Sequence, residues 1–167
     1  WLLLVCIGVG LAVLGWQTVR ASTTVQQVTL AIPIGMAALA LVVLALALGG
    51  LLKGTWILVA LVALSIPAAL AVKKTFSLLH APGLELSRES ALLVSLVASL
   101  ALLNLTWAVA PEIQFDSLNY HLAVPKTYLQ QGRIVDVQFM HAYLSRLVEL
   151  DFTAALAVAG QTAVKLF

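Results

Sequence analysis

The chain has 167 residues, of which 62% are hydrophobic and only 10% are charged, and its formal net charge is +2. A water-soluble domain of this length carries about a quarter of its residues as charged side chains, because its surface must face water. This composition excludes an ordinary soluble domain and a basic nucleic-acid-binding protein, and it indicates a chain whose exterior faces lipid.

Long apolar runs follow one another and predict an all-α fold, a polytopic transmembrane helical bundle. A helix needs about 20 apolar residues to cross ~30 Å of hydrocarbon. Residues 1–110 predict four transmembrane helices, 111–146 an external loop with an interfacial helix, and 147–167 the start of a fifth transmembrane helix. The first four are predicted at about 1–19, 28–52, 54–72 and 90–110.

Several single residues refine this interpretation. The chain begins at Trp1 without a methionine and stops at Phe167 inside an apolar run, so we expect it to be a fragment or to be incomplete at both ends. The single cysteine, Cys6, excludes a disulfide within the chain and a cysteine metal site. Prolines within the spans are compatible with membrane helices, and small residues allow close helix contact. The prolines are Pro33 and Pro67, and the small residues are Gly35, Ala37, Ala38 and Ala40.

The basic residues predict the orientation of the bundle. The short loop 73–89 carries Lys73, Lys74 and Arg88, which places it on the cytoplasmic side by the positive-inside rule. Alternation of the spans then places the longer segment 111–146 on the extracytoplasmic side. Trp56 and Trp107 would both lie at that outer interface, where indole rings prefer to sit.

The segment 111–146 holds most of the residues that could carry chemistry. Asp116 is a natural N-cap for a helix beginning at Ser117, and Gly132 is a plausible residue for the end of that helix. Pro125 would kink this helix or divide it in two. Tyr120 lies one turn after Asp116, so the two would face the same way. A carboxylate at the rim of the membrane could take a proton from an incoming hydroxyl or amine.

The sequence FDSLNYHLAVPKTYLQQGRI, with the later HAYLSRLVEL, resembles the first external loop of bacterial type C glycosyltransferases. The resemblance covers roughly residues 110–160. It implies an integral membrane enzyme of the bacterial inner membrane that moves a sugar from a polyprenyl-phosphate donor to an acceptor on the outer face. The implied partners are membrane lipid, the lipid-linked sugar and an acceptor of unknown identity. The fragment by itself is expected to be inactive.

The resemblance also implies roles for individual residues. Asp116 matches the catalytic acid, as general base or acceptor-positioning group. The expected substrate-binding residues are Tyr120, His121, Lys126 and, by a looser match, Glu149. The residues flanking Asp116 are Phe115 and Ser117, so no acidic pair is present there to bind a divalent metal, and no cofactor is expected.

Plainer interpretations of the same residues stay open. Asp116 could serve only as a helix cap. Tyr120 and Tyr128 could be anchors at the membrane interface. Glu149 could pair with Arg146 at the i,i+3 spacing, or it or Asp151 could face a polar cavity inside the span.

Two other classes of function compete with the enzyme. A transporter or flippase predicts ionisable residues near the centres of spans and broken helices in paired positions. A noncatalytic membrane scaffold predicts an external loop that binds a partner. The charge-free second, third and fourth spans argue against a transporter.

Overall fold

The computed structural model describes residues 1–16, 24–79, 88–110, 113, 120–137 and 147–166, and every regular element in these residues is a helix. This confirms the predicted all-α fold. The helices are α1 (Leu2–Trp16), α2 (Thr24–Leu48), α3 (Gly54–Leu79), α4 (Arg88–Val109), α5 (Ala123–Gln131) and α6 (Leu147–Leu166).

Four of these helices are long and apolar enough to cross a membrane, and they fit an integral membrane protein. Their apolar stretches are Gln26–Leu48 in α2, Gly54–Lys73 in α3, Ala91–Val109 in α4 and Leu147–Lys165 in α6. The remaining long apolar helix, α1, is shorter, with an apolar stretch over Leu2–Gly15.

Helices α1 and α2 approach each other so closely that their backbones touch at glycines. A Cβ added to Gly10 would overlap the backbone of Ala31, and one added to Gly35 would overlap the backbone of Cys6. Cys6 of α1 meets Gly35 of α2, and the later Gly10 of α1 meets the earlier Ala31 of α2. The two helices are therefore antiparallel. The sequence predicted close packing at small residues, and this contact confirms it at Gly35.

One hydrophobic cluster joins α1, α2, α3, α5 and α6. Its largest fully buried side chains include Tyr128 of α5, Leu52 before α3, and Ile57 and Leu61 of α3. Helix α4 lies at the edge of the assembly, with side chains exposed along nearly all its length and α6 as its main contact. An apolar helix exposed in this way is stable in lipid but not in water.

Three of the described helices contain residues that are unusual inside a helix. Helices α2 and α3 continue through Pro33 and Pro67, as predicted for membrane helices. Helix α6 is interrupted at Ala159 and Gly160, where Gly160 has φ 73° and ψ −163°. That backbone conformation is essentially restricted to glycine, so α6 consists of two helical pieces that meet at this residue.

Candidate functional site

Helix α5, which carries the predicted site residue Lys126, begins close to Pro125. Helix α5 starts at Ala123, with Leu122 as an N-cap that makes no side-chain capping bond. Pro125 is the third residue of this helix, where its missing N–H would have had no helical partner. The predicted start at Ser117 lies outside the described residues, and α5 itself continues through Pro125 to Gln131.

The end of α5 matches the sequence prediction. Gly132 follows the last helical residue with φ 68°, the left-handed conformation that glycine adopts at helix ends. The carbonyl of Gly132 accepts a hydrogen bond from the backbone N–H of Leu52 at 2.9 Å. This bond fastens the end of α5 to the loop between α2 and α3.

Helix α5 is a packed element of the core. Val124, Pro125 and Tyr128 are buried, and Tyr128 has no exposed surface at all. The interpretation of Tyr128 as an anchor at the membrane interface is therefore wrong, since such an anchor must reach the interface. Lys126, in contrast, is exposed.

Helices α5 and α6 pack side by side and run in the same direction. At their beginnings, His121 contacts Glu149. At the other end, Gly132 contacts the α2–α3 loop, and the carbonyl of Ala157 lies against Gly54, which follows that loop. The first turns of α5 and α6 therefore lie together, and residues 28 positions apart in sequence meet there.

An imidazole, a carboxylate and two aromatic rings form the centre of this junction. Nδ1 of His121 lies 3.1 Å from Oε1 of Glu149. The imidazole is tilted against the ring of Tyr120, with centroids 4.2 Å apart, and the ring of Phe152 meets it edge-on at 6.1 Å. We call these four residues the imidazole junction. An ionised carboxylate can only accept a hydrogen bond, so with Glu149 ionised, Nδ1–H of His121 donates to it.

Burial differs sharply across the imidazole junction. The side chain of His121 is 38% exposed, whereas that of Glu149 is 13% exposed. The second carboxylate oxygen, Oε2 of Glu149, is buried and has no hydrogen-bond partner among the described residues. The junction therefore has an open imidazole side and a closed carboxylate side.

A second acidic residue of α6 lies deeper. Asp151 is 2% exposed, and its Oδ1 has no hydrogen-bond partner in the part of the chain that the structure describes. Because Asp151 is two residues after Glu149, helical geometry directs it about 200° away, toward the core. Sequence reasoning singled out Asp151 only as a charge in a span, and that position in an apolar run was the available signal.

The structure brings together three of the five predicted site residues: Tyr120, His121 and Glu149. Lys126 is exposed on α5. Asp116 lies outside the described residues, so its catalytic role stays a prediction. Arg146 also lies outside them, and the described partner of Glu149 is His121.

Among the described residues, no group of three or more histidine, cysteine, aspartate or glutamate side chains is placed to hold a metal ion. The junction offers one imidazole and one carboxylate, which suits proton transfer better than metal binding.

In comparisons with known proteins, the chain matches no protein-family model, no curated protein and no solved structure.

Proposed function

We propose that this chain is the N-terminal part of a membrane glycosyltransferase of type C, which moves a sugar from a polyprenyl-phosphate donor to an acceptor at the outer face of the bacterial inner membrane. The anomeric carbon of the donor is attacked by the acceptor hydroxyl, and the polyprenyl phosphate leaves. Asp116 acts on the acceptor as general base or as the group that positions it.

The convergence of Tyr120, His121 and Glu149 carries this proposal. The resemblance assigns these three residues to one substrate site, although Glu149 lies 28 residues after His121. In the fold they lie in contact at the start of two parallel helices. A resemblance confined to local sequence would give no reason for that contact, whereas a shared site requires it.

The expected position of the site at one face of the membrane has separate support. Orientation by basic residues assigns the α2–α3 loop and the end of α5 to the same outer side. The hydrogen bond from Leu52 to Gly132 joins these two segments directly. Trp56 and Trp107, the expected anchors of that side, are both exposed, as contact with an interface requires.

The exposed cations of the α5 region would bind the donor phosphate. Lys126 and Arg133 are both exposed and lie on and just after α5. A lysine ammonium or an arginine guanidinium near an interface attracts an anionic headgroup. These residues would hold the phosphate of the donor while its prenyl chain lies in the bilayer.

Binding of the lipid provides a direct test. Native mass spectrometry of the detergent-solubilised full-length protein should show bound undecaprenyl phosphate and little undecaprenol, which lacks the phosphate. Replacing both cations (K126M with R133M) should reduce the bound phosphate lipid, whereas Q130A on the same helix should not. Equal binding of undecaprenyl phosphate and undecaprenol would contradict the proposed phosphate recognition.

The assigned chemistry is tested by the substitution D116N. Asparagine keeps the shape of the side chain and its ability to cap a helix, but it removes the basicity. We expect sugar transfer to fall by about 100-fold or more, whether Asp116 acts as a general base or positions the acceptor. D136N in the same segment is the control, and transfer at the full rate in D116N would eliminate the proposed role.

A transporter is the second candidate, and two observations favour it. Asp151 is buried within a helix long enough to span a membrane, and that same helix is broken at Gly160. Both features occur in transporters. If Asp151 carries a transported proton, D151N should abolish substrate uptake in proteoliposomes. As a glycosyltransferase, the protein should show no uptake and should retain sugar transfer in D151N.

A further inference from the structure

We infer that His121 and Glu149 act as a proton-accepting dyad, in which Nε2 of His121 takes the proton of the acceptor hydroxyl and Glu149 holds the imidazole in place. This inference rests on the proposed glycosyl transfer and adds a second catalytic group to it. Asp116 then positions the acceptor, and His121 removes its proton.

The hydrogen bond between the two residues sets which ring nitrogen is available. A neutral imidazole carries one N–H and one lone pair. Nδ1 lies 3.1 Å from Oε1 of Glu149, so with Glu149 ionised Nδ1–H donates to it and the lone pair of the neutral imidazole is on Nε2. That nitrogen has no partner among the described residues, and the side chain that carries it is 38% exposed.

The surrounding rings restrict the orientation of the imidazole. Tyr120 covers the imidazole from 4.2 Å and Phe152 meets its edge from 6.1 Å. With Nδ1 tied to Glu149, the ring is held at three points, and Nε2 keeps a fixed direction. A catalytic base must be held in this way, since a small displacement weakens proton transfer.

The burial of Glu149 explains why the carboxylate belongs in the dyad. Its Oε2 is buried without a partner among the described residues, so its charge is poorly solvated. When Nε2 takes a proton, the imidazolium places a positive charge next to this carboxylate and offsets it. The buried aspartate of serine hydrolases stabilises an imidazolium in the same manner.

The reaction balances without a further reactant. The acceptor oxygen forms a bond to the anomeric carbon of the sugar, and its proton goes to Nε2 of His121. The bond between that carbon and the phosphate oxygen breaks, and its electron pair leaves with the polyprenyl phosphate. The imidazolium then returns its proton to water or to the departing phosphate.

The experiment uses the full-length protein in proteoliposomes that contain a lipid extract of bacterial membranes with polyprenyl-phosphate-linked sugars. Release of undecaprenyl phosphate is measured by mass spectrometry. The variant H121N keeps a donor at the position of Nδ1, so the bond to Glu149 is retained and only the base is lost. The variant E149M keeps the length of the side chain but removes the acceptor.

We expect H121N to lower kcat by about 100-fold or more with little change in KM, as loss of a general base does. We expect E149M to lower kcat by about 10-fold to 100-fold, the range for residues that orient a catalytic group. In H121A, added imidazole should restore part of the activity, which a purely structural histidine would not allow. Q130A on α5 is the matched control.

The outcomes separate the two proposals. If the wild-type protein releases no undecaprenyl phosphate, the proposed function fails, and the dyad fails with it. If the wild-type protein is active and H121N is equally active, the dyad alone is overturned. If H121A is inactive and imidazole restores nothing, or if the loss in H121N lies in KM alone, His121 is not the proton acceptor.

Discussion

The contact between α1 and α2 allows a stability prediction that tests the fold itself. Replacing Gly35 with alanine adds a methyl group where the backbone oxygen, carbon and Cα of Cys6 already lie. A flexible side chain could move away from that methyl group, but a helix backbone cannot. The substitution G35A should therefore force α1 and α2 apart and disturb the cluster that contains Cys6.

The size of the effect follows from two opposing contributions. Overpacking a close contact costs about 1–3 kcal/mol, and an overlap with backbone belongs at the upper end. Alanine in place of glycine within a helix stabilises the helix by about 1 kcal/mol. The net loss in the free energy of unfolding should be about 2 kcal/mol, which corresponds to a roughly 30-fold change in the folded-to-unfolded ratio.

Cys6 supplies the assay. It is the only cysteine of this chain and is 1% exposed, so a maleimide can reach it only when the helices separate. Labelling in mixed micelles with increasing dodecyl sulfate should begin at a lower detergent fraction in G35A. The control is G15A, since a Cβ at Gly15 meets nothing within 4 Å and should leave the protein equally or slightly more stable. Identical labelling curves for G35A and G15A would refute the close α1–α2 contact.

The same labelling assay tests three further substitutions. Tyr128 is fully buried, so Y128A should cost about 3–5 kcal/mol and advance labelling more than any other change named here; a shift smaller than that of G132A would contradict its place in the core. Gly132 has φ 68° and no atom closer than 3.7 Å to an added Cβ, so G132A should cost about 1–2 kcal/mol from backbone conformation alone, and G132N clearly less. Gly160 has φ 73°, so G160A should cost about 1–3 kcal/mol, and an unchanged curve would mean that α6 is not broken there.

The fold class could be predicted from sequence because lipid imposes a simple rule. Every backbone polar group in a membrane must be satisfied within its own segment, so long apolar runs must become helices. Long apolar runs can be read directly from the amino-acid sequence. The ends of the helices follow from weaker local preferences, and α3 continues to Leu79, past the lysines that were expected to end its apolar run.

Two signals in the sequence bear on where α5 begins. Asp116 offered an N-cap, while Pro125 required a position in the first turn of a helix. In the structure α5 begins two residues before Pro125. A proline costs a helix no hydrogen bond in its first turn, so Pro125 fits a start just before it, whereas a capping residue is useful in many loops.

The partner of Glu149 could not be predicted from local spacing. The i,i+3 rule directs attention to Arg146, because helical neighbours are the only contacts that sequence separation reveals. The contact with His121 depends on the parallel packing of α5 and α6. That packing depends in turn on the long-range bond from Leu52 to Gly132 and on burial of Tyr128, neither of which is visible in the sequence of the α5 region alone.

The geometry of the imidazole junction is therefore a property of the core. Leu150 and Ala154, which both follow Glu149 on α6, are buried in the same cluster as Tyr128 of α5. The hydroxyl of Thr153 donates to the carbonyl of Glu149 at 2.7 Å and is itself fully buried. Since protein interiors are close-packed and resist sliding, the distance from Glu149 to His121 is set by contacts that never touch the imidazole. If His121 is the proposed proton acceptor, its support on two packed helices keeps its direction fixed.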